Sequence, residues 1–140
     1  MAVIEKSASP SIDANQANQV AAGNLYAGED LAAVSPCYIK GSDGKVYMSD
    51  GAASNEAAKF HGFVARETLA GEPVTLFGAG SRFKYSSGMT PGATLYIAVA
   101  DVYTDAGNLQ DATSTGDTKG TAFAVNGTDI VVCRTDPKNG

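Results

Sequence analysis

One histidine, two cysteines and a scatter of carboxylates are the residues of this 140-residue chain with the chemistry to attack a substrate or hold a metal. His61 stands between Phe60 and Gly62, at the start of a β-forming run. Cys37 lies in Pro36-Cys37-Tyr38-Ile39 and Cys133 ends Val131-Val132-Cys133. A Cys37–His61 pair would need the imidazole to hold the thiolate. A thiol inside an apolar strand is instead kept neutral and inert. Both cysteines therefore read as small buried hydrophobes, and His61 as a structural residue. A bridge between the two cysteines stays open at this level. Neither belongs to a CxxC pair, so zinc is not expected.

The other motifs fare no better. There is no G-x-S-x-G, and Ser42-Asp43-Gly44-Lys45 matches S-x-x-K on a turn, not at a helix opening. Gly78-Ala79-Gly80-Ser81 lacks the third glycine of a dinucleotide loop and the Lys-Ser/Thr of a phosphate loop. Asp50-Gly51-Ala52 does not space oxygens as a calcium loop does. Asn126-Gly127-Thr128 is a sequon by letter, read here as a turn. The expectation is a non-enzyme with no catalytic, cofactor-binding or metal-binding residues.

The elements that carry these residues are built from little large apolar material. Alanine supplies 23 residues, whereas Val, Ile, Leu and Phe together number 27 of 140. Sixteen glycines accompany them. That combination points to a turn-rich fold with a thin core, helped by contacts with other subunits or a partner. A net charge of −5 without a Lys/Arg cluster argues against nucleic-acid binding. No apolar run approaches the roughly 20 residues of a membrane helix. The first ten residues, Met1 to Pro10, lack a basic n-region followed by an apolar stretch, so synthesis in the cytoplasm is expected.

Residues 1–25 are rich in Ala, Ser, Asn and Gln and read as an extended N-terminal arm, with Val3, Ile4, Ile12, Val20 and Leu25 as its sparse apolar anchors. Residues 26–140 read as a single β domain. Cys37–Lys40 and Lys45–Met48 flank Gly41-Ser42-Asp43-Gly44, a hairpin signal. Phe123–Val125 and Asp129–Cys133 flank an Asn-Gly, a pair suited to turn residues with positive φ. Further runs at Gly62–Ala65, Pro73–Phe77, Arg82–Tyr85 and Thr94–Val99 bring the domain to eight to ten short strands, a sandwich or small barrel. One helical turn is expected at Ser54–Lys59, capped by Ser54. Alternation assigns most aromatics to the core. Tyr26 and Tyr103 are left over as interface candidates.

The domain also echoes itself. Tyr38-Ile39, Gly44-Lys45-Val46, Gly62-Phe63-Val64-Ala65 and Val74–Phe77 have partners in Tyr96-Ile97, Gly107-Asn108-Leu109, Gly120–Ala124 and Ile130–Cys133. Two similar meanders packed as halves of one body would give this order.

A polar arm followed by Ala27-Gly28-Glu29-Asp30-Leu31, Pro36-Cys37-Tyr38-Ile39, Asp43-Gly44-Lys45-Val46-Tyr47, Gly62-Phe63-Val64-Ala65 and Ala70-Gly71-Glu72-Pro73-Val74-Thr75 resembles the capsid decoration (cement) proteins of tailed bacteriophages. Leu95-Tyr96-Ile97 to Gly120–Ala124 looks like that family's C-terminal half, so the resemblance spans residues 26–134. It implies a compact antiparallel β-barrel or β-sandwich, often called tulip-like, with an extended arm. It also implies a homotrimer on the outer surface of the virion that binds the major capsid protein and stabilises the head. In that setting Val3, Ile4, Ile12, Val20, Leu25, Tyr26 and Tyr103 are the candidate capsid or subunit contacts. The alternative is a small carbohydrate-binding β-module.

Overall fold

A computed structural model describes residues 3–13, 19–21, 23–53, 55–100 and 106–135. The chain is all-β. The N-terminal segment forms β1 (Val3–Ile4), β2 (Ser11–Asp13) and β3 (Gln19–Ala21). The body adds β4 (Ser35–Ile39), β5 (Val46–Met48), β6 (Gly62–Val64), β7 (Leu76–Phe77) and β8 (Arg82–Lys84). It continues with β9 (Thr94–Ile97), β10 (Leu109–Gln110), β11 (Ala122–Ala124) and β12 (Asp129–Val132). The nine body strands among the described residues fall within the expected eight to ten. Seven strands curl into an antiparallel half-barrel in the order β1-β10-β9-β11-β12-β8-β2. Five form a second sheet, β3-β7-β6-β4-β5.

The described strands of the N-terminal segment lie along the chain's own sheets. β1 and β2 are the two edges of the large sheet, and β3 is one edge of the small one. At the opposite edge, the Val46 amide donates to the Tyr26 carbonyl at 3.0 Å and the Gly28 amide to the Val46 carbonyl at 2.9 Å. The Met48 amide donates to the Glu29 carboxylate at 2.9 Å. Strands β1, β2 and β3 and residues 26–29 thus line every sheet edge seen among the described residues, covering backbone groups that would otherwise pair with foreign strands.

Both predicted hairpins form, with Tyr38 opposite Tyr47 and Phe123 opposite Val131. The second turn works differently from expectation. Neither Asn126 nor Gly127 has positive φ. The Asn126 side chain instead accepts from the Thr128 amide at 2.9 Å and the Asp129 amide at 2.8 Å, an Asx-type turn. The helical turn is a 3₁₀ helix, Glu56–Ala58, and its cap is Asn55, which accepts from the Ala57 amide. The expected cap, Ser54, lies outside the described residues.

The echo in the sequence is a repeat of strand pairing. β5-β4-β6-β7 and β10-β9-β11-β12 have one connectivity and one register. Ile39 pairs with Val46 as Ile97 pairs with Leu109. Pro36 pairs with Phe63 as Thr94 pairs with Phe123. Val64 pairs with Leu76 as Ala124 pairs with Ile130. The register matches Gly62 to Ala122, two positions beyond Gly120.

The core forms two clusters, one on each face of the small sheet. Val34, Phe60, Phe63, Phe83, Tyr85, Leu95, Ile97, Leu109 and Ile130 fill the space between the sheets. Cys37, Val46, Val64 and Leu76 pack under Ala27, Leu31 and Val74 on the far side. The small sheet is therefore buried on both faces, and the large sheet on one.

Candidate functional site

Cys37 and His61 are backbone neighbours, since the His61 amide donates to the Cys37 carbonyl at 2.8 Å. Their side chains are committed elsewhere. Imidazole Nδ1 accepts from the Ile39 amide at 3.0 Å, which leaves the proton of the neutral ring on Nε2. Burial, with Lys59 and Arg134 nearby, holds the His61 pKa below its ordinary value. The Cys37 thiol is fully buried and points its Sγ at the Ser35 carbonyl, 3.4 Å away. Burial pushes its pKa up to about 12, against the opposing pull of the Lys6 ammonium. A thiol so placed is no nucleophile. Cys133 differs from expectation: it is exposed, because β12 ends at Val132 and the chain leaves the sheet there. Both cysteines are free thiols.

The remaining sequence motifs are turns. Asp43 accepts from the Lys45 amide at 2.9 Å and the Tyr47 hydroxyl at 2.5 Å, which closes the β4–β5 loop and accounts for Ser42-x-x-Lys45. The Ser81 amide donates to Gly78 and the Gly80 amide to Val132, so the glycine-rich stretch is the tight entry to β8. Asp50 Oδ1 accepts from the amides of Ala52 and Ala100. Among the described residues no three His, Cys, Asp or Glu side chains gather to hold a metal ion.

The most elaborate polar site is one the sequence reading missed. Asp117 is fully buried and accepts from the Ile97 amide at 2.9 Å, the Gly120 amide at 2.9 Å and the Thr121 hydroxyl at 2.6 Å. Arg134 completes the site at 3.9 Å and lies over the Phe60 ring at 5.7 Å. Asp117 does for Ile97 what His61 does for Ile39, the matching residue of the other half. Each takes up the amide at the end of the central strand, which has no ladder partner there. The site is a structural clasp. Its only sequence signal was position, just before the third strand of each half.

A second, partly buried clasp ties down the N-terminal segment. Lys6 Nζ donates to the Ala33 carbonyl at 2.9 Å and the Ser35 hydroxyl at 2.7 Å. It thereby straddles Val34, held at φ +52°, a costly conformation for a β-branched residue. Burial lowers the Lys6 pKa to about 8.

The interface candidates separate into groups. Ile4 and Ile12 pack against the chain's own inter-sheet core, and Leu25 against the second cluster. Val3 is half-buried on β1. Val20 lies on β3, its side chain outside the description, and Tyr103 lies outside the described residues. Tyr26 is 45% exposed. Two exposed residues were not anticipated: Leu69, at 52%, and Phe123, at 39%. Tyr26 and Leu69 stand on loops laced together by backbone bonds. The Ala27 amide donates to Glu72 at 2.9 Å, the Gly71 amide to Ala27 at 2.8 Å and the Val74 amide to Leu25 at 2.9 Å. Phe123 is one of the aromatics that the core does not take. In Ala122-Phe123-Ala124 the alanines point inward instead, because the rings of Phe63, Phe83 and Tyr85 already fill the interior. An open groove of about 560 Å³, with Ile12, Gln19, Val64 and Phe77 in its lining, runs between the strands β2 and β3.

No protein-family model and no curated protein matches this sequence.

Proposed function

We propose that this protein is a capsid decoration protein that binds the outer surface of a tailed-phage head and holds neighbouring major capsid subunits together. The observation that carries the reading is the laced loop pair presenting Tyr26 and Leu69. Two large apolar side chains stand exposed on a backbone held by the body's own hydrogen bonds, so little ordering entropy opposes their docking. The resemblance over residues 26–134 supplies the partner. The committed states of Cys37 and His61 favour a structural over a catalytic role. Many such contacts repeated over a lattice add up by avidity, which suits a body with a small core.

The test is co-sedimentation with expanded heads that lack decoration, assembled from the capsid protein encoded in the same genome. Saturable binding is expected, lost in Tyr26→Asp/Leu69→Asp. Failure of the wild-type protein to sediment with the heads overturns the reading.

A further inference from the structure

The loop between β11 and β12 holds Asn126-Gly127, and the fold has no conformational use for that glycine. Gly127 does not take a positive φ. A Cβ built on it meets nothing nearer than 3.8 Å, at the Gly88 nitrogen and the Met89 carbonyl oxygen. Alanine would fit there. What the glycine leaves is an uncrowded backbone nitrogen directly after an asparagine. Among the described residues the Gly127 amide has no acceptor, and only its carbonyl is held, by the Met89 amide at 3.0 Å.

Asn126 is used by one end only. Its Oδ1 accepts from the Thr128 amide at 2.9 Å, the Asp129 amide at 2.8 Å and the Thr128 hydroxyl at 3.1 Å. Two of these donors are backbone N–H groups, which fixes the oxygen's place in the side-chain amide. Among the described residues Nδ2 has no acceptor. The residue itself is exposed to water. An oxygen bonded to the amides two and three positions ahead bends the side chain over the intervening peptide, which brings Cγ alongside the Gly127 nitrogen.

We propose that Asn126 is a site of spontaneous deamidation, with water as the co-reactant and the turn's own donors promoting the step. The Gly127 nitrogen gives its proton to hydroxide, attacks Asn126 Cγ and closes a five-membered succinimide. The Cγ–Nδ2 bond breaks, and ammonia leaves with a proton taken from water. Water then adds to one of the two imide carbonyls. Cleavage of the new Cγ–N bond gives aspartate, and cleavage of the original peptide C–N bond gives isoaspartate. Nothing is oxidised or reduced. During the attack negative charge develops on Oδ1, where three donors already stand at hydrogen-bond distance. Nδ2, the atom that is lost, gives up no bond. The aspartate product accepts from the same three donors with a full charge. It adds a negative charge beside Asp129, which pairs with Arg82 at 2.9 Å. The isoaspartate product lengthens the main chain by one carbon, inside a loop closed by the bond from the Val125 amide to the Asp129 carbonyl at 2.9 Å.

Timed incubation of the full chain at neutral pH, followed by peptide mapping with mass spectrometry, tests this without any capsid, so its outcome is independent of the decoration reading. The mapping separates Asn126 from Asn139-Gly140, the chain's other Asn-Gly pair, which lies outside the described residues. Asn126 is expected to convert in the folded protein at least as fast as in the same chain unfolded in guanidinium chloride, giving both aspartate and isoaspartate. Gly127→Ala should slow the folded protein's conversion by about tenfold or more, because the added Cβ crowds the attacking nitrogen. Circular dichroism checks that this variant keeps the fold. If it misfolds, the wild-type comparison of folded with unfolded chain decides. An Asn126 that converts more slowly folded than unfolded, or as fast in a folded Gly127→Ala as in the wild type, overturns the inference.

Discussion

Replacing Asp117 by alanine tests whether the second meander is held by its clasp. The carboxylate is 1% exposed and serves the amides of Ile97 and Gly120, the Thr121 hydroxyl and Arg134. Alanine leaves two buried amides without an acceptor, at about 1–3 kcal/mol each, or roughly 2–6 kcal/mol together. Arg134, whose side chain is 7% exposed, loses its buried counter-charge. Breaking such a pair costs about 3–5 kcal/mol by itself, which places the total in the upper half of that range. The terms overlap and do not add in full. Small domains have about 5–15 kcal/mol to lose, so Asp117→Ala should be close to unfolding at room temperature. Asp117→Asn retains one carbonyl oxygen and should cost about half as much. Urea denaturation followed by circular dichroism reads both, as a lower midpoint at unchanged slope. A loss below about 1 kcal/mol for the alanine variant would refute the assignment of Asp117 as the clasp.

In the first half, protonating His61 removes the acceptor for the Ile39 amide, and burial holds its folded pKa below 6.5. The unfolded chain therefore binds the proton more readily, and the stability this residue contributes is complete above pH 6.5 and lost as pH falls through the lower folded pKa. His61→Asn, which keeps an acceptor near the Nδ1 position, should flatten that acid limb in melts at stepped pH. At Gly51 a Cβ would collide with the Ile97 carbonyl oxygen and sit 2.6 Å from Ser114 Oγ. Gly51→Ala should cost about 1–3 kcal/mol, read as a lowered Tm, because the obstacle is backbone. Deleting residues 1–20 removes the edge strands β1 and β2, all of β3 but Ala21, and the Lys6 clasp, so the truncated chain should aggregate or lose its cooperative melt. A monomeric truncation with a wild-type Tm would contradict that role for the N-terminal segment.

Much of the fold was legible because its signals are local. β-formers alternate with Gly, Asn and Asp, and these mark the strands and both hairpins whatever surrounds them. The duplication was visible as rhymes such as Tyr38-Ile39 with Tyr96-Ile97, though only the pairing register shows which residues correspond. Two kinds of feature were hidden. The outward face of Phe123 was not foreseen, because alternation says which residues share a face but not which face is buried. That choice goes with Phe63, Phe83 and Tyr85, which are distant in sequence and fill the space between the sheets. The polar clasps were hidden because an aspartate before a strand looks like any turn aspartate until the amide it serves is known. The N-terminal segment, too sparse in apolar residues to suggest a docked helix, carries enough in Ile4 and Ile12 to seat two edge strands on the core.

The decoration reading rests finally on whether the protein strengthens a head. Calorimetry of expanded heads with and without saturating protein is the direct measurement. The account predicts that decorated heads melt at a higher temperature, with the bound protein also melting above its own Tm in solution. Equal melting temperatures for decorated and bare heads would contradict it.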